Sequence, residues 1–260
     1  MKRIFKPIKS IIVLTFWILV WFLVSLLINN RFLFPTPIDV FKRLFELIIT
    51  GDFWISMLTS MGRVILGIIV AIILGVMSSI ASYKVRIIYD ILYPFMTILK
   101  STPVASFIIL IVLFIGKETV PTLITILMVL PVVWLNVYEG LLNVDSDLKE
   151  ACIVFKINRF KRFKILYFPS VFPYFISSVL SSIGLGWKAG IASEILYPPL
   201  KSIGKSIFDA QQYLLREDLF AWTLVVILLS LLFESVVKLV VKLSSVKQSA
   251  HGKGVDNEDW

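Results

Sequence analysis

Six stretches of this chain are too long and too apolar to belong to an ordinary soluble core. They cover residues 10–28, 53–82, 87–115, 120–138, 170–195 and 219–237. A helix needs roughly 18 or more apolar residues to cross about 30 Å of hydrocarbon. In lipid the backbone has no water to bond to, so a spanning segment must be a helix or part of a closed barrel. These runs are continuous rather than alternating, which selects helices. Hydrophobic residues make up 58% of the chain and mean hydropathy is +0.91, so no large soluble module fits between the runs. The expectation is an all-α polytopic membrane protein with about six transmembrane helices. It forms a single transmembrane domain over residues 1–260, with its core at about 53–242 and a polar, mobile C-terminal tail at 243–260.

The net charge of +9 is laid out for topology and not for nucleic acid. With six spans and both termini inside, sixteen Lys/Arg fall on inner segments. Seven fall outside: Arg31, Lys42, Arg43, Lys117, Lys201, Lys205 and Arg216. That is the direction of the positive-inside rule. A basic start followed by an apolar run is also how a secretory signal begins. Here the run is long and no small-residue cleavage site follows, so the first helix is expected to be retained. One cysteine, Cys152, excludes an internal disulfide framework, and one histidine, His251, leaves no His/Cys cluster for a metal.

Between the fourth and fifth runs lies a polar island, residues 145–169. It carries six cations: Lys149, Lys156, Arg159, Lys161, Arg162 and Lys164. The charge bias places it in the cytoplasm. Asp147, with Glu150 three residues on, reads as a helix N-cap and its capping-box partner. The short helix so opened would run over 148–156, with an apolar side made by Ala151, Ile153, Val154 and Phe155. Asn158 tolerates left-handed and turn conformations and marks a break. A second basic segment follows, and Pro169 stands where the next spanning helix begins.

Two spans carry more than a plain anchor needs. The third is interrupted by Asp90, Pro94 and then Lys100-Ser101-Thr102-Pro103, where Pro103 removes a helix hydrogen bond and pushes Thr102 out of helical conformation. A broken helix in lipid must have its freed backbone groups re-satisfied, often beside a cavity. The fifth carries Ser178, Ser182, Gly186 and Gly190 at four-residue spacing. Such a face packs helices closely and also leaves room, so it reads both as a packing face and as the wall of a solute route. Lys188 and Glu194 are ionisable groups inside that span; they serve the route, or they are held by structural pairing. Arg63, near the outer end of the second run, either snorkels to the interface or pairs inside the bundle. Gly67, Ala71 and Gly75 on the same run form another close-packing face. Ile38, Phe41, Leu44, Phe45 and Ile48 share one face of an outer amphipathic helix. Gly204-Lys205-Ser206 ends like a phosphate-binding loop, but Pro199 holds the place of its first glycine and no strand precedes it.

The island resembles the EAA loop in the permease subunits of ATP-binding-cassette importers. That pattern is E-A-A, three residues, G, nine residues, I-x-L-P. Glu150 and Ala151 match, Cys152 is a small residue in place of the second Ala, and Leu166, Phe168 and Pro169 fill the last positions. Lys156 stands where the family has Gly, and Asn158 is the residue expected to take over its turn. The stretch from Pro35 to Ile48 resembles one that follows the first helix in sulfonate- and taurine-type permeases. Asp90, Leu99, Pro103 and Ala105 match a further family segment loosely. The resemblance covers roughly residues 34 to 235 and is nearest the sulfonate, taurine and nitrate type.

The resemblance implies the type I importer (MetI-like) permease fold in the bacterial cytoplasmic membrane. It implies no catalysis in this chain and no cofactor of its own, since ATP is bound and hydrolysed by a partner subunit. The implied partners are ATP-binding-cassette ATPase subunits, a second permease subunit (a homodimer), an extracytoplasmic solute-binding protein and the lipid bilayer. It makes the island a cytoplasmic coupling helix, with Asp147, Glu150, Ala151, Cys152, Val154, Phe155, Lys156, Asn158 and Pro169 as coupling residues. The fifth helix lines the pathway in that fold. Ser178, Ser182, Gly186, Lys188, Gly190 and Glu194, with Lys100 and Pro103 at the break, are therefore pathway candidates. A reading of a different class is a secondary transporter or channel that uses Lys100, Lys188 and Glu194 as an intramembrane ionisable set. Against it, no internal repeat relates the two halves of the sequence.

Overall fold

The computed structural model describes residues 5–28 and 33–252. Lys2 and Arg3 of the basic start, Arg31 of the first outer segment and the tail from Lys253 to Trp260 lie outside them. Among the described residues the elements are helices and their connections, with no strands.

The chain opens with α1 (Phe5–Ile28) and continues into α2 (Pro37–Ile48). Thr36 caps α2. Its hydroxyl accepts from the Asp39 N–H at 3.2 Å, and the Asp39 carboxylate accepts in return from the Thr36 N–H. This is a capping box, and Pro37 fills the first turn, where no N–H is needed. The single apolar face expected of this helix is split in two. Val40 and Leu44 pack into the core with Leu47 and Ile48, while Ile38, Phe41 and Phe45 stay exposed. Arg43 pins the helix through its Nε, which donates to Asp218 at 2.8 Å. That hydrogen bond, with a second to Glu46, raises the pKa of Arg43 further.

The centre of the bundle is α6 (Val120–Leu142), held between α3 (Gly51–Lys84) and α9 (Phe168–Leu196). Small residues set the spacing. A Cβ added at Gly67 would come within 2.7 Å of Thr125, and one at Gly75 within 2.8 Å of Val133. From α9, Gly186 sits on Ile68 and Val129, and Gly190 on Val64 and Thr125. Ala71, Val129, Val133, Val137 and Leu141 fill the seam. Ser79 Oγ donates to the Trp134 carbonyl at 2.7 Å, and Trp134 Nε1 donates to Ser82 Oγ at 3.1 Å. In lipid such interhelical bonds contribute about 1 kcal/mol each.

The expected break in the third run is present. α4 (Arg86–Ser101) and α5 (Val104–Val112) meet at 103°. Thr102 between them is extended, with ψ 135°, as a residue before proline must be. At the other end α10 (Ile203–Gln212) leads into α11 (Arg216–Gly252). α11 runs past the expected span and through part of the stretch expected to be a mobile tail. No Gly or Pro interrupts residues 216–251, so nothing stops the helix before Gly252.

Four helical segments are long and apolar enough to cross a membrane, and the bent α4–α5 pair makes five if it counts as one span. The expected six is reached only by adding α1, whose apolar part is Ile12–Ile28. The outer surface carries exposed Leu66, Ile73 and Leu231. A multi-pass bundle presents such side chains to lipid.

Candidate functional site

The island folds into α7 (Ser146–Val154) and α8 (Arg159–Arg162). The cap of α7 is Asp145, two residues earlier than expected. Its Oδ1 accepts from the Asp147 N–H at 2.8 Å and the Leu148 N–H at 3.2 Å. Asp147 therefore lies in the first turn, where the helix dipole favours a carboxylate. Leu148 holds the third helical position, so Glu150 cannot close a capping box and is exposed in the helix body.

The turn after α7 also differs from expectation. Lys156 itself adopts the left-handed conformation, φ 49°. The Ile157 N–H donates to the Cys152 carbonyl and the Lys156 N–H to the Ile153 carbonyl, each at 3.0 Å. This is the Schellman pair of bonds that usually surrounds a glycine. Asn158 instead caps α8, its Oδ1 accepting from the Phe160 N–H at 2.7 Å. Cys152 is buried with Val144 and Leu166, and Ile157 packs beside them. One side of α7 is thus fastened to the bundle.

After α8 the chain does not pause before the next span. A π-helical turn, Phe163–Tyr167, carries it into α9, with the Phe168 N–H donating five residues back to Phe163. Pro169 enters the first turn of α9, where its missing N–H is tolerated. Arg159–Leu196 is therefore one continuous helical segment, and the second half of the island is its base. The other side of α7 and the tip of α8 face outward. Val154 is 75% exposed, Phe155 76% and Phe160 76%, in a segment rich in cations. Ala151 is half-buried beside them.

The candidates on α9 separate into two faces. Ser178, Ser182, Gly186 and Gly190 are buried against α6 and α3. Glu194 is also fully buried, and its partner is not Lys188. Ser60 Oγ donates to it at 2.6 Å, the Gly204 N–H at 3.2 Å and Arg63 Nη1 at 3.4 Å. Arg63 also pairs with Glu118 and donates to the Leu200 carbonyl at 3.3 Å, so it pairs inside rather than snorkelling. The cluster ties α3, α9 and α10 to the chain before α6. Any side chain at Gly204 would strike Glu194, which accounts for that glycine without a phosphate.

Lys188 lies on the opposite, exposed face of α9 with Ser177 and Ser181. Beside them, nothing approaches a Cβ built at Gly184 within 4 Å. Lys100 and Pro103 are exposed at the α4–α5 bend. Lys100, Lys188 and Glu194 are therefore not gathered into one ionisable set. Sequence reasoning missed Ser177 and grouped Ser181 and Gly184 with the neighbouring Ser178 stripe, although Ser177 and Ser181, and Gly184 and Lys188, repeat the four-residue spacing. Arg63 and Glu194 lie 131 positions apart, and no local pattern joins them.

The family model for binding-protein-dependent transport system inner membrane components matches residues 64–245. The chain is 27% identical over 188 residues to the nitrate import permease protein of Synechocystis sp., covering 68% of this chain and 67% of that one. It is 30% identical over 165 residues to the bicarbonate transport system permease protein of the same organism, covering 62% and 58%. It is 20% identical over 229 residues to the taurine transport system permease protein of Escherichia coli, covering 86% and 82%.

Proposed function

We propose that this chain, which belongs to the binding-protein-dependent transport system inner membrane components, forms the solute route of an ATP-binding-cassette importer and is driven by separate ATPase subunits through residues 145–169. The coupling half of this reading rests on one feature. Val154, Phe155 and Phe160 are held out to solvent on short capped helices, while Cys152 anchors the same segment to the bundle. An apolar patch that a soluble surface would hide, fixed rigidly to a spanning helix, suits a docking contact. ATP-driven approach of two ATPase subunits would move α7, and with it the base of α9. The bundle would then alternate between inward- and outward-open states. Both termini and the loop face the cytoplasm in this arrangement, and a solute-binding protein delivers cargo from outside. The whole chain acts as one permease domain.

The route runs along the exposed face of α9, at Ser177, Ser181, Gly184 and Lys188, near the bend that carries Lys100 and Pro103. A second copy of the chain, related by a two-fold axis, closes it. The relatives named for nitrate, bicarbonate and taurine favour a small anionic or zwitterionic solute, and Lys188 supplies a matching charge. A secondary transporter is the weaker reading, because Glu194 is tied to Ser60, Gly204 and Arg63 and faces away from Lys188.

Two variants test the coupling. Phe155→Asp and Glu150→Lys should insert normally yet lose ATP-driven uptake in proteoliposomes containing the ATPase partner. For Phe155→Asp the affinity for that partner should fall by about 2 kcal/mol, roughly thirtyfold. Wild-type uptake by both variants would remove the loop from the mechanism.

A further inference from the structure

Beside the base of α9 the bundle opens into a groove of about 750 Å³. Val76 and Ile80 of α3, Val137 of α6 and Val171 and Phe175 of α9 make its walls. At its rim stand three cations: Lys84, the last residue of α3, and Arg159 and Arg162 at the start of the segment that becomes α9. None of the three belongs to an ion pair among the described residues, whereas neighbouring Arg86 is paired with Asp90 at 3.2 Å. The pocket is therefore amphipathic, with a hydrocarbon-like interior and an uncompensated positive mouth.

Its position matches its chemistry. Lys84 closes one spanning helix and Arg159 opens another, so the cations stand at a single membrane boundary, at the level of lipid headgroups. Basic pockets between spanning helices at that level recognise anionic headgroups. Phe168, Phe172 and Phe175 share the helical face of Ser182 and Gly186, opposite Ser177, Ser181 and Lys188. The groove thus opens away from the proposed solute route. It also differs from the exposed patch of Val154, Phe155 and Phe160, none of which lines it.

We propose that this groove binds an anionic phospholipid from the leaflet on the 145–169 side. An acyl chain lies between α3, α6 and α9, and the phosphate sits on Lys84, Arg159 and Arg162. A zwitterionic lipid would fill the same walls but bring no net charge to the rim. Because Arg159 and Arg162 belong to the segment joining α7 to α9, the bound lipid braces that joint. Lipid binding in this groove requires only a membrane, not an ATPase.

The test uses the full chain purified in detergent and equilibrated with an equimolar mixture of phosphatidylglycerol and phosphatidylcholine. Retained lipid is counted by native mass spectrometry, and thermal stability is followed with each lipid alone. Phosphatidylglycerol should be retained preferentially and should raise the melting temperature more. In the double variant Arg159→Gln/Arg162→Gln its affinity should fall by roughly thirtyfold, at about one charge contact per arginine. Arg86→Gln, outside the groove, should behave as wild type. Equal retention of the two lipids would overturn the proposal, as would unchanged retention in the double variant. An equal thermal shift from inorganic phosphate alone would also overturn it, since the occupant would then be a free anion.

Discussion

Lys156 holds a backbone conformation, φ 49°, that a glycine holds without strain. The hydrogen bonds around it are those of an ordinary left-handed helix end, so only the side chain is out of place. Lys156→Gly should therefore raise stability, by about 0.5–1 kcal/mol once the greater freedom of glycine in the unfolded chain is set against the relieved strain. Denaturation of the purified protein would show this as a modest upward shift, and a downward shift would mean that the turn is not strained. The sequence offers Asn158 as the more natural turn residue. What overrides it is packing, because Cys152 and Ile157 both pack with Val144 and Leu166, and that fixes the turn at Lys156, directly before Ile157. The cap is decided in the same way. Asp145, Ser146 and Asp147 are all good caps by composition, but buried Val144 sets where the chain turns, and Asp145 follows it directly.

Among the elements, α9 was legible as a helix of small residues but not in its orientation. Two stripes compete at the same spacing, Ser178-Ser182-Gly186-Gly190 and Ser177-Ser181 with Gly184-Lys188. Trp187, whose Nε1 donates to the Val226 carbonyl of α11 at 3.1 Å, and Ile191, packed in the same core cluster, settle the rotation and turn the first stripe inward. The consequence can be read from two glycines two residues apart. Gly186→Leu should destabilise the bundle by about 1–3 kcal/mol through overpacking, because Ile68 and Val129 already lie within 3.0 Å of an added Cβ. At Gly184 an added Cβ meets nothing within 4 Å in the single chain, so Gly184→Leu has open space at its base. It should leave the melting temperature near wild type while lowering uptake, because the leucine projects into the route or against the second copy. If Gly184→Leu unfolds the protein and Gly186→Leu does not, the two faces have been exchanged. The α4–α5 break at Pro103 was visible beforehand, because proline acts through local sterics, whereas Asp90 and Pro94, expected to interrupt the same run, lie inside the continuous α4.

At the scale of the whole molecule, two polar structures stand at opposite ends of the bundle. One is the closed cluster of Ser60, Arg63, Glu118, Glu194 and Gly204, which locks α3, α9 and α10 together. The other is the open segment 145–169, anchored on one side and exposed on the other. Apolar run length was enough to foresee a multi-pass helical bundle, and the charge bias assigns its basic island to the inner side as an expectation. The closed cluster could not be foreseen, since its members come from distant parts of the chain. The central claim is that an ATPase grips the open segment from the cytoplasm. The most direct test places a single cysteine at the exposed tip, Phe155→Cys, with buried Cys152→Ala to remove the native thiol. A membrane-impermeant maleimide is then applied to intact cells and to inside-out vesicles. Labelling should occur only in the vesicles and should be blocked when the ATPase partner is bound. Labelling in intact cells, or labelling in vesicles unaffected by the partner, would contradict the account.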